Sequence, residues 1–198
     1  MLEVNAPAKP EAAIVAALGR RSIVLVGMMG AGKSSVGRRL ATRLGLIFVD
    51  ADNEIEAAAG MSIADIFAAH GEAYFRSGEA RVIARLLEGG PQVMATGGGS
   101  MMNPDTRALI RAKGVSIWLD AEYEVLLRRV KRRTDRPMLK TTDPADTLRR
   151  LLDERRPVYS QADVTLRSRD APHETIVNEA ITALARHFDV AKQSAVRG

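Results

Sequence analysis

The segment Gly27-Met28-Met29-Gly30-Ala31-Gly32-Lys33-Ser34 constrains this chain more than any other, because it satisfies the pattern G-x-x-x-x-G-K-[ST] in full. Ser22–Val26 (SIVLV) precedes it, a β-branched run suited to a buried parallel strand. After it, Val36, Leu40 and Leu44 recur at four-residue spacing, the mark of a helix with one buried stripe. A strand, a glycine-rich turn and a helix in that order make a phosphate cradle. The glycines let backbone N–H groups turn inward, and the helix adds its positive N-terminal end. Lys33 would reach the β- and γ-phosphates of a nucleotide, and the Ser34 hydroxyl would meet Mg²⁺. A turn that merely joins strand to helix needs neither the lysine nor the serine. Nucleotide binding is therefore the minimum reading. The motif alone does not separate a kinase from a switch GTPase, a motor ATPase or a transporter subunit.

The alternation continues along the chain. Further strands are expected at 47–49, 92–96, 115–119 and 163–166. Helical faces are made by Val82, Ile83, Leu86 and Leu87, by Val125, Leu126 and Val130, by Leu148, Leu151 and Leu152, and by Ile176, Val177, Ile181, Leu184 and Phe188. This order predicts an α/β fold in three layers: a five-stranded parallel sheet with helices on both faces and ligands outside the carboxyl ends of the strands.

With 198 residues, 46% of them hydrophobic, the chain fills one core rather than two. A single domain is expected over 21–190, preceded by an extension at 1–20 and followed by a tail at 191–198. Residues 11–18 read either as a short alanine-rich helix or as part of that extension. There are no cysteines, which excludes disulfides, thiolate metal sites and cysteine nucleophiles and leaves oxygen ligands for any metal. Neither a secretory leader nor an apolar run of membrane length is visible, so a cytoplasmic protein without a membrane partner is expected. The net charge of +5 is concentrated, with Arg128, Arg129, Lys131, Arg132, Arg133 and Arg136 crowded together. Such a cluster suits a small phosphorylated ligand. The aromatic spacing and recognition motifs of a nucleic-acid binder are missing, so no nucleic-acid partner is expected.

Beyond the phosphate loop, Asp50 and Asp52 stand at the end of the second expected strand. Two apart on a strand, they would share a face, and two carboxylates so close are easier to keep ionised beside a cation or hydroxyl donors. Capping of the following helix, by Asp52 or Asn53, is the plainer alternative. The run Gly97-Gly98-Gly99 follows the third expected strand and leaves room for a ligand against the backbone. Residues 131–143 lack a buried stripe and read as a lid.

Six signs in this order resemble the shikimate kinases over about residues 22–185: the GMMGAGKSS loop, D-x-D at 50–52, G-E-x-x-F-R at 71–76, T-G-G-G at 96–99, R-P-M-L at 136–139 and E-R-x-P-x-Y at 154–159. The resemblance implies a phosphate-loop kinase with a small lid, using Mg²⁺ and ATP to phosphorylate the 3-hydroxyl of shikimate in the pathway to aromatic amino acids. It implies ATP contacts at Gly30, Ala31, Gly32, Lys33, Ser34 and Ser35, with Ser34 and Asp50 toward the metal. Asp52 would bind the ring hydroxyls and take the proton of the attacking one. Arg76 and Arg155 would grip the carboxylate, with Gly97, Gly98 and Gly99 against the substrate. Helix-face salt bridges are the alternative for both arginines. Arg136 would close over the phosphates. The lid lacks the glycine-rich stretch that many relatives carry before R-P, which leaves open whether Arg132 or Arg133 packs on adenine. Arg169 resembles an adenine-side arginine, with a solvated loop charge as the alternative. The resemblance also implies a monomer. Gluconate and nucleoside monophosphate kinases, and a non-catalytic nucleotide-binding module, share enough of the pattern to stand as competing readings.

Overall fold

The computed structural model describes residues 10–132 and 143–190. Five strands form one parallel sheet in the order β2-β3-β1-β4-β5: β1 (Ser22–Val26), β2 (Phe48–Asp50), β3 (Val93–Ala95), β4 (Gly114–Ala121) and β5 (Val164–Ser168). All five expected strands are present, β1 with the expected ends and the others with ends shifted by one or two residues. Every residue of β1 is buried, as a central strand covered on both faces requires. In β5, at the sheet edge, burial alternates.

Eight α-helices join the strands within the described residues: α1 (Pro10–Leu18), α2 (Lys33–Leu44), α3 (Ala51–Ala59), α4 (Ile63–Glu88), α5 (Pro104–Lys113), α6 (Tyr123–Lys131), α7 (Pro144–Tyr159) and α8 (His173–His187), with a 3₁₀ turn at Ser100–Met102. Helices α1, α2 and α8 pack on one another as one layer. In the other layer α4 packs on α5 and α6 on α7, and the 3₁₀ turn touches α4, α5 and α7. Residues 11–18 take the helical alternative. Ile14 and Leu18 in α1 are fully buried, each a contribution of about 1.5–3 kcal/mol relative to exposure.

Two local devices set the site. Gly27 ends β1 at φ 133°. A Cβ there would lie 2.8 Å from the Leu119 carbonyl oxygen and 3.2 Å from the Trp118 ring, so only glycine lets the chain leave the strand so close to β4. Gly71, at φ 79° and ψ 176°, breaks α4. The break re-aims the second half of the helix, which carries Phe75, Arg76 and Glu79.

The carboxyl ends of β1, β2 and β3 lead directly into the phosphate loop, Asp50 and the glycine run. The strand order reverses at β1, whose neighbours are β3 and β4, and this is where an open α/β sheet opens a crevice.

Candidate active site

A cavity of about 600 Å³ lies over the phosphate loop. Gly30, Ala31, Gly32, Lys33, Ser34 and Ser35 line it from below, Asp50, Asp52, Thr96, Gly97 and Gly98 from the strand ends, and Arg129, Ser168 and Arg169 from the far side. Gly32 caps α2 in the left-handed region, at φ 96°, so the first free N–H groups of the helix face the loop. Lys33 Nζ donates to the carbonyls of Gly27 at 2.8 Å and Met28 at 2.9 Å, which lays its stem along the loop. Ser34 Oγ donates to Asp50 Oδ2 at 2.6 Å.

Asp50 does two things at once. Besides meeting Ser34, it accepts from the backbone N–H of Asp52 through Oδ1 at 3.2 Å and so caps α3. The capping alternative therefore holds, but at Asp50 rather than at Asp52 or Asn53. The strand-alternation argument for the aspartate pair does not hold: β2 ends at Asp50, and Asp52 belongs to the first turn of α3. What brings both carboxylates to one cavity is the sharp passage from strand into helix.

A second, smaller cavity of about 70 Å³ adjoins the first. Met29, Asp52, Ile63, Phe67, Phe75, Arg76, Glu79, Gly97, Gly98, Gly99 and Arg155 line it. Asp52, Gly97 and Gly98 belong to both cavities. The glycine run is packed from several sides. A Cβ on Gly97 would come within 2.6 Å of Glu79 Oε1 and 3.1 Å of Asp52 Oδ1, one on Gly98 within 3.4 Å of an Arg155 nitrogen, and one on Gly99 within 2.5 Å of the Arg76 guanidinium. Side chains here would fill the cavity with themselves.

Arg76 makes the helix-face salt bridges of the alternative reading, to Glu79 at 2.7 Å and Glu72 at 3.3 Å, and lines the cavity as well. Burial opposes its charge, but the Glu79 and Glu72 carboxylates more than offset that, and its pKa is raised. Arg155 is buried, 6% exposed, in α7. Two guanidiniums at one small cavity, Arg76 paired with Glu79 and Glu72 and Arg155 buried in α7, offer the forked donors that suit a further carboxylate. Arg169 lines the phosphate cavity from an exposed position, where ion pairing with Glu179 raises its pKa. Arg133, Arg136 and most of the expected lid lie outside the described residues.

The oxygen pair of Ser34 and Asp50 suits Mg²⁺, a hard cation that takes few protein ligands and completes its shell with phosphate and water. Among the described residues no cluster of three or more His, Asp or Glu side chains offers a self-sufficient metal cage. A metal that arrives with a nucleotide fits these donors.

The shikimate kinase family model matches residues 29–185. The chain belongs to the shikimate kinase family. It is 66% identical over 181 residues to the shikimate kinase of Bradyrhizobium diazoefficiens, covering 91% of this chain and 87% of that one. A structure of shikimate kinase from Acinetobacter baumannii in complex with shikimate superposes with a TM-score of 0.80 at 36% identity, over 82% of this chain and 92% of that one. A gluconokinase from Sinorhizobium meliloti, with a TM-score of 0.59 at 23% identity over 87% of this chain and 96% of that one, shares the fold.

Three polar residues of this shikimate kinase site carry no assignment from sequence. Glu79 is buried, 3% exposed, and divides its carboxylate between Arg76 and the Ser100 hydroxyl, the latter at 2.6 Å. Its spacing of three from Arg76 on a helix was the available signal. Arg129 donates to the Gly30 carbonyl at 3.2 Å and to Ser168 Oγ at 3.0 Å, and Ser168 Oγ donates to the Ala31 carbonyl at 2.7 Å. Together they tie the phosphate loop to the end of β5. Nothing in the sequence picks Arg129 out of its basic cluster.

Proposed function

We propose that the protein transfers the γ-phosphoryl group of ATP to the 3-hydroxyl of shikimate, giving shikimate 3-phosphate and ADP, a step of the shikimate pathway. The observation that carries this reading is the junction of the two cavities. A phosphate-binding cavity meets a small arginine-lined cavity at one carboxylate, Asp52, and two glycines, Gly97 and Gly98.

ATP lies with its phosphates on Gly30, Ala31, Gly32, Lys33, Ser34 and Ser35. Ser34 and Asp50 would hold Mg²⁺, which supplies positive charge to the phosphates when bound. Arg76 and Arg155 hold the shikimate carboxylate, and the glycine run lets the ring approach the backbone. Asp52 accepts the proton of the 3-hydroxyl as its oxygen attacks the γ-phosphorus in line. Lys33 and the N-terminal N–H groups of α2 take up charge on the equatorial oxygens of the loose transition state. A small acceptor cavity also limits the space for water, the competing nucleophile.

A monomer is the working unit that the family resemblance implies. Among the described residues no helix is long and apolar enough to cross a membrane. A cytoplasmic location accords with use of ATP.

The test is a coupled ADP-release assay with Mg-ATP and a panel of shikimate, quinate, gluconate, AMP and no acceptor. Saturable release with shikimate alone, with shikimate 3-phosphate as product, is the expected outcome. Release with gluconate or AMP instead would assign the protein to a sister kinase activity, and no stimulation by any acceptor would leave nucleotide binding alone.

A further inference from the structure

Tyr159, the last residue of α7, is completely buried although its phenol is polar. A buried phenol needs a partner. Its hydroxyl donates to the carbonyl oxygen of Gly98 and lies 3.7 Å from Met28 Sδ in the phosphate loop. The ring is held beside Trp118 of β4, with centroids 6.0 Å apart. One helical turn earlier on α7 sits Arg155, at the same glycine run.

Three consecutive glycines have no side chains with which to fix their own conformation, and glycine has the most backbone freedom to lose. In this run the Gly97 carbonyl accepts from the Ser100 N–H at 3.3 Å and the Gly99 carbonyl from the Met102 N–H at 2.9 Å. The middle carbonyl, that of Gly98, is met by Tyr159. Because the peptide unit is planar and trans, the Gly98 carbonyl and the Gly99 N–H point in opposite directions on one rigid plane. Anchoring the carbonyl on α7 therefore fixes where the Gly99 N–H aims, away from Tyr159.

We propose that Tyr159 is a positioning residue of the acceptor site: its hydroxyl holds the Gly98 carbonyl and so sets the glycine turn in the geometry that receives the acceptor. The inference rests on the shikimate reading of the smaller cavity. Burial raises the phenol pKa to about 12, so the donor keeps its proton at any pH at which the enzyme works. Gly98 lines both cavities, but Gly99, whose N–H the anchored peptide aims, lines only the smaller one, which sets the expectation: loss of the hydroxyl weakens acceptor binding far more than ATP binding.

Tyr159→Phe keeps the ring and removes the donor. Steady-state kinetics on both substrates, calorimetric titration with shikimate, and a thermal melt decide the matter. The expected result is a rise of about tenfold in the KM and Kd for shikimate, the size of one well-placed hydrogen bond, with the KM for ATP within about twofold of wild type. Unchanged shikimate KM and Kd overturn the proposal. So does a variant that fails to fold, or one in which both substrates suffer equally, since either makes Tyr159 a structural residue only. Failure of the wild type to use shikimate is a separate result; it sinks the acceptor reading and this inference with it.

Discussion

Lys33 lines the phosphate cavity alone, whereas Asp52 lines both cavities, and the two substitutions that follow have different signatures. Lys33→Met keeps a stem of similar length and removes the charge proposed to meet the transferring phosphoryl group. Turnover is expected to fall at least ~100-fold, the usual size of one electrostatic contribution in a preorganised site. Single-turnover rates at saturating shikimate measure it. Asp52→Asn keeps the shape of the side chain but replaces one acceptor oxygen with an NH2 donor and removes its capacity to take a proton, and a fall in kcat of at least ~100-fold is expected. Near-normal kcat with a raised KM for shikimate would remove the general-base role and leave Asp52 as a binding group. The two variants thus separate charge stabilisation at the donor from proton removal at the acceptor.

At the scale of the elements, close approach governs the site, and α2 shows how tightly. A Cβ on Gly37 would sit 2.6 Å from the Phe48 ring of β2 and 2.8 Å from Leu25 Cδ1 of β1. Gly37→Ala gains about 1 kcal/mol of helix propensity but has to push a helix off two strands, and overpacking of this kind costs about 1–3 kcal/mol. A net loss in melting temperature of a few degrees is expected by differential scanning calorimetry, about 2–4 °C per kcal/mol; a more stable variant would show that α2 can shift freely. Contacts of this sort explain what was and was not legible in the sequence. The strands and the phosphate loop were legible because burial, near-continuous in β1, β3 and β4 and alternating in β5, and phosphate chemistry each demand particular residue types at fixed spacing. The helix α5 was not, although Asn103 caps it and Pro104 opens it, because its buried positions, Thr106 and Ile110, include a polar residue and make too short an apolar stripe. The true arrangement of Asp50 and Asp52 was hidden by the abrupt change from strand to helix at Asp50, which spacing alone does not reveal. Arg129 and Tyr159 meet the phosphate loop and the glycine run from far away in the chain, so spacing alone does not reveal those partners.

In the molecule as a whole, the group that ties the acceptor turn to the core also ties the site to global stability. Tyr159 is neutral in the folded chain, with its pKa raised to about 12 chiefly by burial; the Arg155 charge pulls the other way and Glu79 adds to the rise. In the unfolded chain the phenol returns to about 10. The folded state therefore holds this proton more tightly. The contribution is fully present below about pH 10 and is lost as pH rises toward about 12, because there the unfolded chain sheds the proton first. Other groups titrate in the same range, so the informative quantity is the difference between wild type and Tyr159→Phe in urea unfolding free energy. At about pH 8 the wild type is expected to be the more stable by the value of its hydrogen bond, about 0.5–1.5 kcal/mol. By about pH 11 that advantage should have shrunk by about 1.4 kcal/mol, one unit of linked titration. A difference that stays constant over this range would mean that the phenol is not held neutral by the fold. A difference that shrinks as stated would show that the fold holds the phenol neutral in the packing beneath the glycine turn, where Trp118 of β4 flanks the Tyr159 ring and the hydroxyl meets Gly98 and the phosphate loop.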